Sequence, residues 1–184
     1  LSPDPEPPGA GRPGAWRSVL LVGGRILLPA AIRLDLNGVV KALAVDDALG
    51  LLAGDGFVSA GGDLAVRGEL TVSLPDGESV LLRRGALATS GSTKRRWLRG
   101  GSEQHHLIDP RTGRPSDSPW EQVTACGANC VAADAAAKAG FLLGERGPGW
   151  LDSRGIPARF LQLGGDVTEN DSWRRGVVDA VACT

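Results

Sequence analysis

The chain has no methionine, almost no net charge and no long apolar run. Since it also starts at Leu1, we expect a processed product or a fragment. A formal net charge of -1 creates no field that would attract a polyanion, which argues against nucleic acid as a partner. The sequence has neither an apolar segment long enough to cross a bilayer nor the basic-then-apolar start of a signal peptide. The compartment stays open between the cytoplasm and an extracytoplasmic, membrane-associated location.

Cysteine is also scarce. The three cysteines, Cys126, Cys130 and Cys183, leave one unpaired, so they make no disulfide framework. Cys126 and Cys130 could ligate a metal, but no second Cys or His pair stands near them in the sequence. We interpret these two as small buried side chains.

The length of 184 residues is enough for one domain with a real core. Residues 1–15 are rich in proline and glycine and lack periodicity, which predicts a disordered lead-in. Residues 16–184 then form the folded domain. Strand and helix patterns are mixed there without strict βαβ alternation, which predicts an α+β fold.

Two segments have the pattern of a main helix. In residues 41–52 apolar side chains recur at helical spacing. Asn129 is a suitable N-cap for an alanine-rich helix over residues 131–143, which Gly144 ends. A short helix over residues 149–153 and strands over residues 19–22, 26–28, 32–36, 57–60, 64–66, 70–74, 80–82, 85–89, 95–98, 123–126 and 158–163 complete the prediction.

The most unusual stretch is HHLIDPRTGRP, residues 105–115, which joins both histidines to a turn sequence. Leu107 and Ile108 indicate the end of a buried strand, and Asp-Pro followed by Thr-Gly favours a sharp, fixed turn. A strand followed by a rigid turn holds polar side chains at the rim of a pocket. His106 can shuttle a proton or donate to a phosphate, although a histidine beside a strand is more often a satisfied structural group. Asp109 either orients His106 or caps the turn, and the cap is favoured.

Three glycine-containing stretches could hold a phosphate. A strand that stops at Gly38 and starts a helix leaves backbone N–H groups and a positive dipole end, to which Lys41 adds a charge. The alternative there is a plain helix start with a solvated lysine. The sequence GGD at residues 61–63 is either a structural bend or a nucleotide contact. The hydroxyl and N–H groups of ATSG, residues 88–91, suit phosphate oxygens unless the stretch is an ordinary Ser/Thr loop.

These stretches resemble, in order, the motifs of the ApbE family, the flavin transferases that use FAD to attach FMN to a threonine or serine of a target protein. Residues 105–115 are similar to the HHIIDPxTGxP signature of that family. The likeness runs from about Trp16 onward. The other agreeing stretches are DLNGVVKALAVD at residues 35–46, AGGD at 60–63, ATSG at 88–91 and, in part, AADAAAK at 132–138.

The resemblance implies mixed, mostly antiparallel sheets with two main helices, an ApbE-like or T-fold-like sandwich. Family members carry a long N-terminal portion ahead of the position of Trp16, where this chain has its Pro-rich tail. We therefore expect the chain to lack the N-terminal strands of the family. Missing strands would leave a sheet edge or an apolar face for a partner or a homodimer to cover.

The resemblance also implies the residues of the site. His106 and Asp134 are the expected catalytic residues: His106 lies against the FAD pyrophosphate and helps proton movement at the accepting hydroxyl. Asp134 anchors Mg²⁺, which the backbone carbonyl of Gly38 also faces. The implied cofactor-binding residues are Lys41, Gly61, Gly62, Asp63, Ser90, Gly91, His106, Ile108, Asp109 and Thr112.

One residue departs from the family at the metal. In the resembling enzymes an Asp and a Thr four residues later bind Mg²⁺ from one helix face. Here Asp134 is followed at that spacing by Lys138, whose ammonium cannot ligate Mg²⁺ and repels it. Either Lys138 swings aside and Asp134, the Gly38 carbonyl, water and phosphate oxygens form a weaker metal site, or the ammonium replaces the cation. An ordinary helical Asp–Lys pair is the third interpretation.

The implied function is that of an FAD:protein FMN transferase, which moves FMN from FAD to a Thr or Ser hydroxyl and releases AMP in an Mg²⁺-dependent reaction. The partner would be a flavin-accepting redox protein. The alternatives are a non-catalytic flavin-nucleotide-binding module of the same family and an FAD pyrophosphatase.

Overall fold

A computed structural model describes residues 14–30, 32, 34, 36–74 and 77–176. Its strands are β1 (Leu20–Val22), β2 (Arg25–Leu27), β3 (Gly56–Ala60), β4 (Asp63–Ser73), β5 (Ser79–Gly91), β6 (Arg96–Arg99), β7 (Ser102–His105), β8 (Ile108–Asp109), β9 (Arg114–Pro115), β10 (Trp120–Gly127), β11 (Ala158–Gln162) and β12 (Val167–Glu169). Its helices are α1 (Asn37–Gly50), α2 (Cys130–Leu142), α3 (Gly147–Asp152) and α4 (Asp171–Gly176), with short 3-10 helices at Ala15–Ser18 and Gly144–Arg146.

Six antiparallel strands form the main sheet, in the order β12-β11-β10-β5-β4-β3. The pairs β1-β2, β6-β7 and β8-β9 are separate two-stranded antiparallel sheets. The chain therefore has the α+β fold with mostly antiparallel sheets that the sequence predicts, and α1 and α2 are its two main helices.

Both main helices pack on one face of the sheet, and small side chains keep that contact close. Ala86 and Ala88 of β5 are fully buried in one cluster with Ala133 of α2. Alternate residues of a strand point to opposite faces, so Leu87 packs on the other side of the sheet. On α2 a Cβ at Gly140 would lie 3.0 to 3.3 Å from three core side chains. The helix thus sits directly on the strands that carry part of the site.

The start of α2 is fixed by side chains from two places in the chain. Asn129 Oδ1 accepts a hydrogen bond from Ala132 N at 2.8 Å, which confirms the predicted N-cap. The Asp46 carboxylate of α1 accepts from the N–H groups of Cys130 and Val131 at 2.7 and 3.0 Å. The first three N–H groups of α2, which have no partner within the helix, are all satisfied. Asp46 thereby fixes α1 relative to α2.

The segment before α1 differs from the prediction. Of the strand expected over residues 32–36, residues 33 and 35 lie outside the described part of the chain, and residues 32, 34 and 36 are in neither a helix nor a strand. The helix expected from residue 41 begins instead at Asn37. The reason is that the N–H groups of Val39 and Val40 both bond the carbonyl of Leu36, which closes the first turn there.

Two pairs of predicted strands are each a single strand. The predictions over 64–66 and 70–74 both fall on β4, and those over 80–82 and 85–89 both fall on β5. In β4 the register shifts between Arg67 and Leu70, where Gly68 has a φ of +92°, and this bulge interrupts the apolar pattern. The strand end expected at Leu107 and Ile108 corresponds to the two-residue β8. The pattern does not predict β7, β9 and β12, which are short and largely polar.

Several expectations concern the termini and the cysteines. The disorder predicted for residues 1–15 falls mainly on residues 1–13, which lie outside the described residues, as does Cys183. Cys126 and Cys130 are buried, which confirms their interpretation as small core side chains. Burial raises the pKa of the Cys130 thiol to about 12, so this thiol is unreactive at neutral pH.

The β1-β2 hairpin presents an apolar surface. Five of its side chains are at least half exposed, namely Leu20, Leu21, Val22, Ile26 and Leu27. Within the described ranges, no helix has the length and hydropathy that a bilayer span requires.

Candidate functional site

A cavity of about 1010 Å³ lies where the start of α1, the β3-β4 turn, the end of β5, the segment after β7 and the middle of α2 meet. A volume of this size suits a nucleotide-sized ligand. The predicted site residues on its wall are Gly38, Lys41, Gly61, Gly62, Ser90, Gly91, His106, Ile108, Asp134 and Lys138. The fold therefore brings together residues that come from five separate stretches of the sequence.

The cavity concentrates positive charge. The chain contains only three lysines, Lys41, Lys94 and Lys138, and all three line it together with Arg95. Among the described residues on its wall, Asp134 is the only acidic one. A cavity with this balance of charge attracts an anionic ligand.

Lys41 on the cavity wall is held by two oxygen partners from the β3-β4 region, Asp63 and the carbonyl of Gly61. Its Nζ lies 2.9 Å from Asp63 Oδ2 and donates to the carbonyl of Gly61 at 3.2 Å. Asp63 is fully buried and is not part of the cavity wall. Burial raises the pKa of Asp63, and the hydrogen bond from Lys41 opposes that rise. Asp63 therefore positions the lysine beneath the glycine turn of β3 and β4.

The two adjacent histidines have different surroundings. His105 Nε2 lies 3.0 Å from the Ser116 carbonyl oxygen, and its Nδ1 accepts from Leu107 N at 3.3 Å, so both ring nitrogens are used structurally. His106 lines the cavity, and its Nδ1 is buried with no hydrogen-bond partner among the described residues. Burial, followed by the positive charge of Arg95, lowers the pKa of His106, which keeps its ring neutral near pH 7.

Asp109 and Thr112 serve the turn that follows the histidines and lie off the cavity wall. Asp109 Oδ1 accepts from the Arg111 backbone N at 2.8 Å, and Asp109 Oδ2 accepts from the Arg111 guanidinium at 2.7 Å. This guanidinium hydrogen bond is the main reason that the pKa of Asp109 is lowered. Thr112 Oγ1 accepts from Arg114 N at 3.2 Å. Of the two roles considered for Asp109, the contacts are those of the turn cap.

Ser90 and Gly91 belong to the end of β5, so the alternative of an ordinary Ser/Thr loop is wrong for these two residues. Ser90 pairs with Val123 of β10 and Gly91 with Gln122, whereas the pairing of β5 with β4 ends at Ala88. A Cβ at Gly91 would lie 2.7 Å from the Glu121 carbonyl oxygen, so glycine is needed for the close approach of β5 and β10. This end of β5 can therefore offer a ligand the hydroxyl of Ser90 and a close approach to the backbone at Gly91.

Lys138 connects the two groups that the resemblance assigns to the metal. Its Nζ donates to the Gly38 carbonyl oxygen at 2.6 Å and also to Asp134 Oδ2. Asp134 and Lys138 are four residues apart on α2, which puts both side chains on one face of the helix. Gly38 lies in the first turn of α1, so the lysine joins the two helices at the cavity wall.

This arrangement does not fit Mg²⁺. The position between the Gly38 carbonyl and the Asp134 carboxylate is taken by an ammonium, which has no lone pair to offer and repels a cation. Across the ranges that the structure covers, no group of three or more His, Cys, Asp or Glu residues is placed to hold a metal ion.

Sequence reasoning missed Lys94 and Arg95, which line the cavity beside His106. The available signal was the basic run Lys94-Arg95-Arg96 immediately after a Ser/Thr stretch, in a chain with few lysines. Gln122 of β10 was also missed, because only the pairing of β10 with β5 brings it to the cavity.

Comparison with known proteins bears on the origin of this site. The sequence model of the ApbE family matches residues 13–160. The FAD:protein FMN transferase of Chlamydia trachomatis is 33% identical over 125 residues, which cover 61% of this chain and 40% of that protein. The protein of the same name from Vibrio cholerae is 29% identical over 146 residues, which cover 69% and 44%. The crystal structure of the ApbE protein of Thermotoga maritima has a TM-score of 0.74 at 26% identity, covering 87% of this chain and 59% of that chain.

The chain thus spans about two fifths of the length of the curated relatives that it matches. The matched range includes every predicted site residue, from Gly38 to Lys138. Since the family model covers most of the chain and the fold is shared with a solved ApbE structure, the resemblance noted in the sequence is confirmed: the chain belongs to the ApbE family.

Proposed function

We propose that this chain binds FAD in the cavity and acts as an FAD:protein FMN transferase, the activity named for its relatives. The observation that carries the proposal is that His106 and the Asp134–Lys138 pair lie on the wall of one cavity that also holds every lysine of the chain. A dinucleotide brings two phosphate charges, which suit a cavity lined by cations.

The reaction transfers FMN between two oxygens. A Thr or Ser hydroxyl oxygen of an acceptor attacks the FMN-side phosphorus of FAD and forms a new P–O bond. The bond from that phosphorus to the bridging oxygen breaks, and AMP leaves with the bridging oxygen. The acceptor is a flavin-carrying redox protein that presents the hydroxyl at the open side of the cavity.

His106 is the proposed acceptor of the hydroxyl proton. Burial and Arg95 lower its pKa, so the imidazole is in the neutral, proton-accepting form near pH 7. The adjacent His105 is not suited to this role, because both its nitrogens are engaged with backbone groups.

The lysines are the proposed partners of the phosphates. Charge that develops on phosphoryl oxygens and on the departing AMP is stabilised best by donors that are already positioned. Lys41 is held by Asp63 and the Gly61 carbonyl, and Lys138 is held by Asp134 and the Gly38 carbonyl. Each lysine is therefore fixed on its helix before a ligand arrives.

A flavin-nucleotide-binding module without transfer activity is the second candidate, and Lys138 is the observation that favours it. A monovalent ammonium beside Asp134 stabilises less developing charge than a divalent cation would. Such a protein would keep the affinity for FAD and lose most of the rate of transfer.

The test is to mix the purified chain with FAD, with and without an acceptor domain, and to measure AMP by chromatography and flavin on the denatured acceptor by in-gel fluorescence. We expect AMP and fluorescent acceptor together, and both signals lost in His106→Gln. Arg146→Gln, which changes an exposed cation outside the cavity, is the control and keeps both. AMP without labelled acceptor would identify an FAD pyrophosphatase, and FAD binding without AMP would identify the binding module. A chain that does not bind FAD would refute the proposal.

A further inference from the structure

We propose that the ammonium of Lys138 is the resident cation of this cavity, so that the chain binds the diphosphate of its nucleotide without a divalent metal. The inference rests on the proposed function for the identity of the nucleotide. The arrangement of Lys138 with its two oxygen partners is independent of that function.

The first argument is the position of the ammonium between two oxygens from different helices. Lys138 Nζ donates to the Gly38 carbonyl at 2.6 Å and to the Asp134 carboxylate. A position flanked by a backbone carbonyl oxygen and a carboxylate oxygen is favourable for a cation. In this chain the cation at that point is covalently part of α2.

The second argument is the burial of Asp134, which is 3% exposed. A buried carboxylate that loses its cation is strongly unfavourable. If Lys138 swung aside, Asp134 would stay buried without a cation and the Gly38 carbonyl would lose its hydrogen bond until a metal arrived. The contacts thus favour the ammonium in place over the displaced lysine.

The third argument is the number of donors on the ammonium. An ammonium carries three N–H donors, and the described partners use two of them. The Lys138 side chain is 30% exposed and lines the cavity. The remaining donor is available to an anionic oxygen of the ligand, which is the contact that a bound metal would otherwise make.

The fourth argument concerns formal charge. Lys138 and Asp134 cancel, whereas a divalent cation with the same carboxylate would leave a net positive charge. Lys94 and Arg95 also line the cavity, and Asp134 is the only acidic residue on its described wall. These two cations supply the attraction to phosphate that the neutral Lys138–Asp134 pair does not. The cavity therefore keeps an anion-binding character without a metal.

The test measures FAD binding by quenching of flavin fluorescence, in EDTA and in millimolar Mg²⁺. For the wild-type chain we expect the same affinity in both buffers. Lys138→Met removes the charge at similar length and should weaken binding about 10- to 100-fold in both buffers, the range for losing a hydrogen bond to a charged group. Lys138→Thr should weaken it similarly in EDTA and recover in Mg²⁺, because the hydroxyl can ligate the ion. Lys94→Thr, the matched loss of a cavity lysine, should weaken binding without any response to Mg²⁺.

Two results would overturn the inference while leaving FAD binding intact. One is a tenfold or greater gain of wild-type affinity on adding Mg²⁺, and the other is a Lys138→Met chain, folded by circular dichroism, that binds FAD as the wild type does.

A second measurement separates this inference from the proposed function, because it uses no nucleotide. Mn²⁺ is titrated into each protein and the free ion is followed by electron paramagnetic resonance. We expect no capture by the wild type and capture by Lys138→Thr. If FAD does not bind at all, the proposed function fails, and this titration alone decides the role of Lys138. Capture of Mn²⁺ by the wild type, or its absence in Lys138→Thr, would overturn the inference.

Discussion

Replacing Asp46 by alanine tests whether the contact between α1 and α2 sets the geometry of the cavity. Asp46 Oδ1 and Oδ2 accept the N–H groups of Cys130 and Val131, at 2.7 and 3.0 Å. These two N–H groups belong to the first turn of α2 and have no partner within the helix. The alanine variant leaves both to water.

The expected cost follows from the number and kind of bonds lost. A hydrogen bond to a charged group contributes about 1.5 to 3 kcal/mol, and a carboxylate at a helix N-terminus about 0.3 to 1 kcal/mol more. Asp46 is partly exposed, so water recovers much of the loss. We expect Asp46→Ala to lower the free energy of unfolding by about 2 to 3 kcal/mol, and Asp46→Asn, which keeps one acceptor oxygen, by about half as much.

Urea unfolding followed by circular dichroism measures this cost, with Asp47→Ala as the matched control. Asp47 is the next residue on α1 and is exposed, so its replacement should change stability by less than about 0.5 kcal/mol. Asp46→Ala should also weaken FAD binding, since Gly38 and Asp134 lie on the two helices that it joins. Equal stability of the Asp46 and Asp47 variants would refute the idea that this carboxylate fixes the helices.

Three further outcomes are expected. Because the pKa of His106 is lowered below the 6.5 of an unperturbed histidine, we expect its NMR titration midpoint below pH 6.5, with the signal assigned by comparison with His105→Gln. The contribution of this neutral ring to stability is complete above pH 6.5 and is lost as the pH falls through the folded-state pKa. A midpoint at or above pH 6.5 would contradict this expectation. Asn170→Ala removes three hydrogen bonds of a buried side chain and should lower the free energy of unfolding in urea by about 3 kcal/mol. A loss of less than about 1 kcal/mol would show that these bonds contribute little to stability. Gly91→Ala should lower the free energy of unfolding by about 1 to 3 kcal/mol and weaken FAD binding, because the new Cβ would lie 2.7 Å from the Glu121 carbonyl oxygen. Unchanged stability and unchanged FAD affinity would show that β5 and β10 can move apart without cost.

Local patterns predicted the elements whose causes are local. The apolar spacing of α1 and the cap at Asn129 are properties of neighbouring residues, and both are present. The bulge at Gly68 led the pattern to predict two strands, over residues 64–66 and 70–74, where β4 is continuous. A register shift cannot be seen in one strand because it depends on the pairing with the partner strand. The polar strand β7 has no apolar alternation and is stabilised by its pairing with β6.

Most residues of the candidate site could be predicted from the sequence, but their contacts could not. Motif order identified Lys41, His106 and Asp134, which line one cavity. The bond from Lys138 to Gly38 joins residues 100 positions apart, and no sequence pattern indicates which helices meet. The turn after His106 shows the same limit, because adjacent residues do not reveal which side chains face the ligand. The resemblance implied a cofactor contact for Asp109, whereas its described hydrogen bonds are with Arg111.

The layer of alanines between α2 and the sheet has a consequence for how this protein can change over evolution. Ala86, Ala88 and Ala133 are buried, and a Cβ at Gly140 would be tight, at 3.0 to 3.3 Å from three core side chains. We therefore expect a much larger side chain in this layer to push α2 outward and to carry Asp134 and Lys138 with it. A substitution that changes the ligand is therefore tolerated more easily at the exposed residues Lys94 and Arg95 on the cavity wall than in this layer.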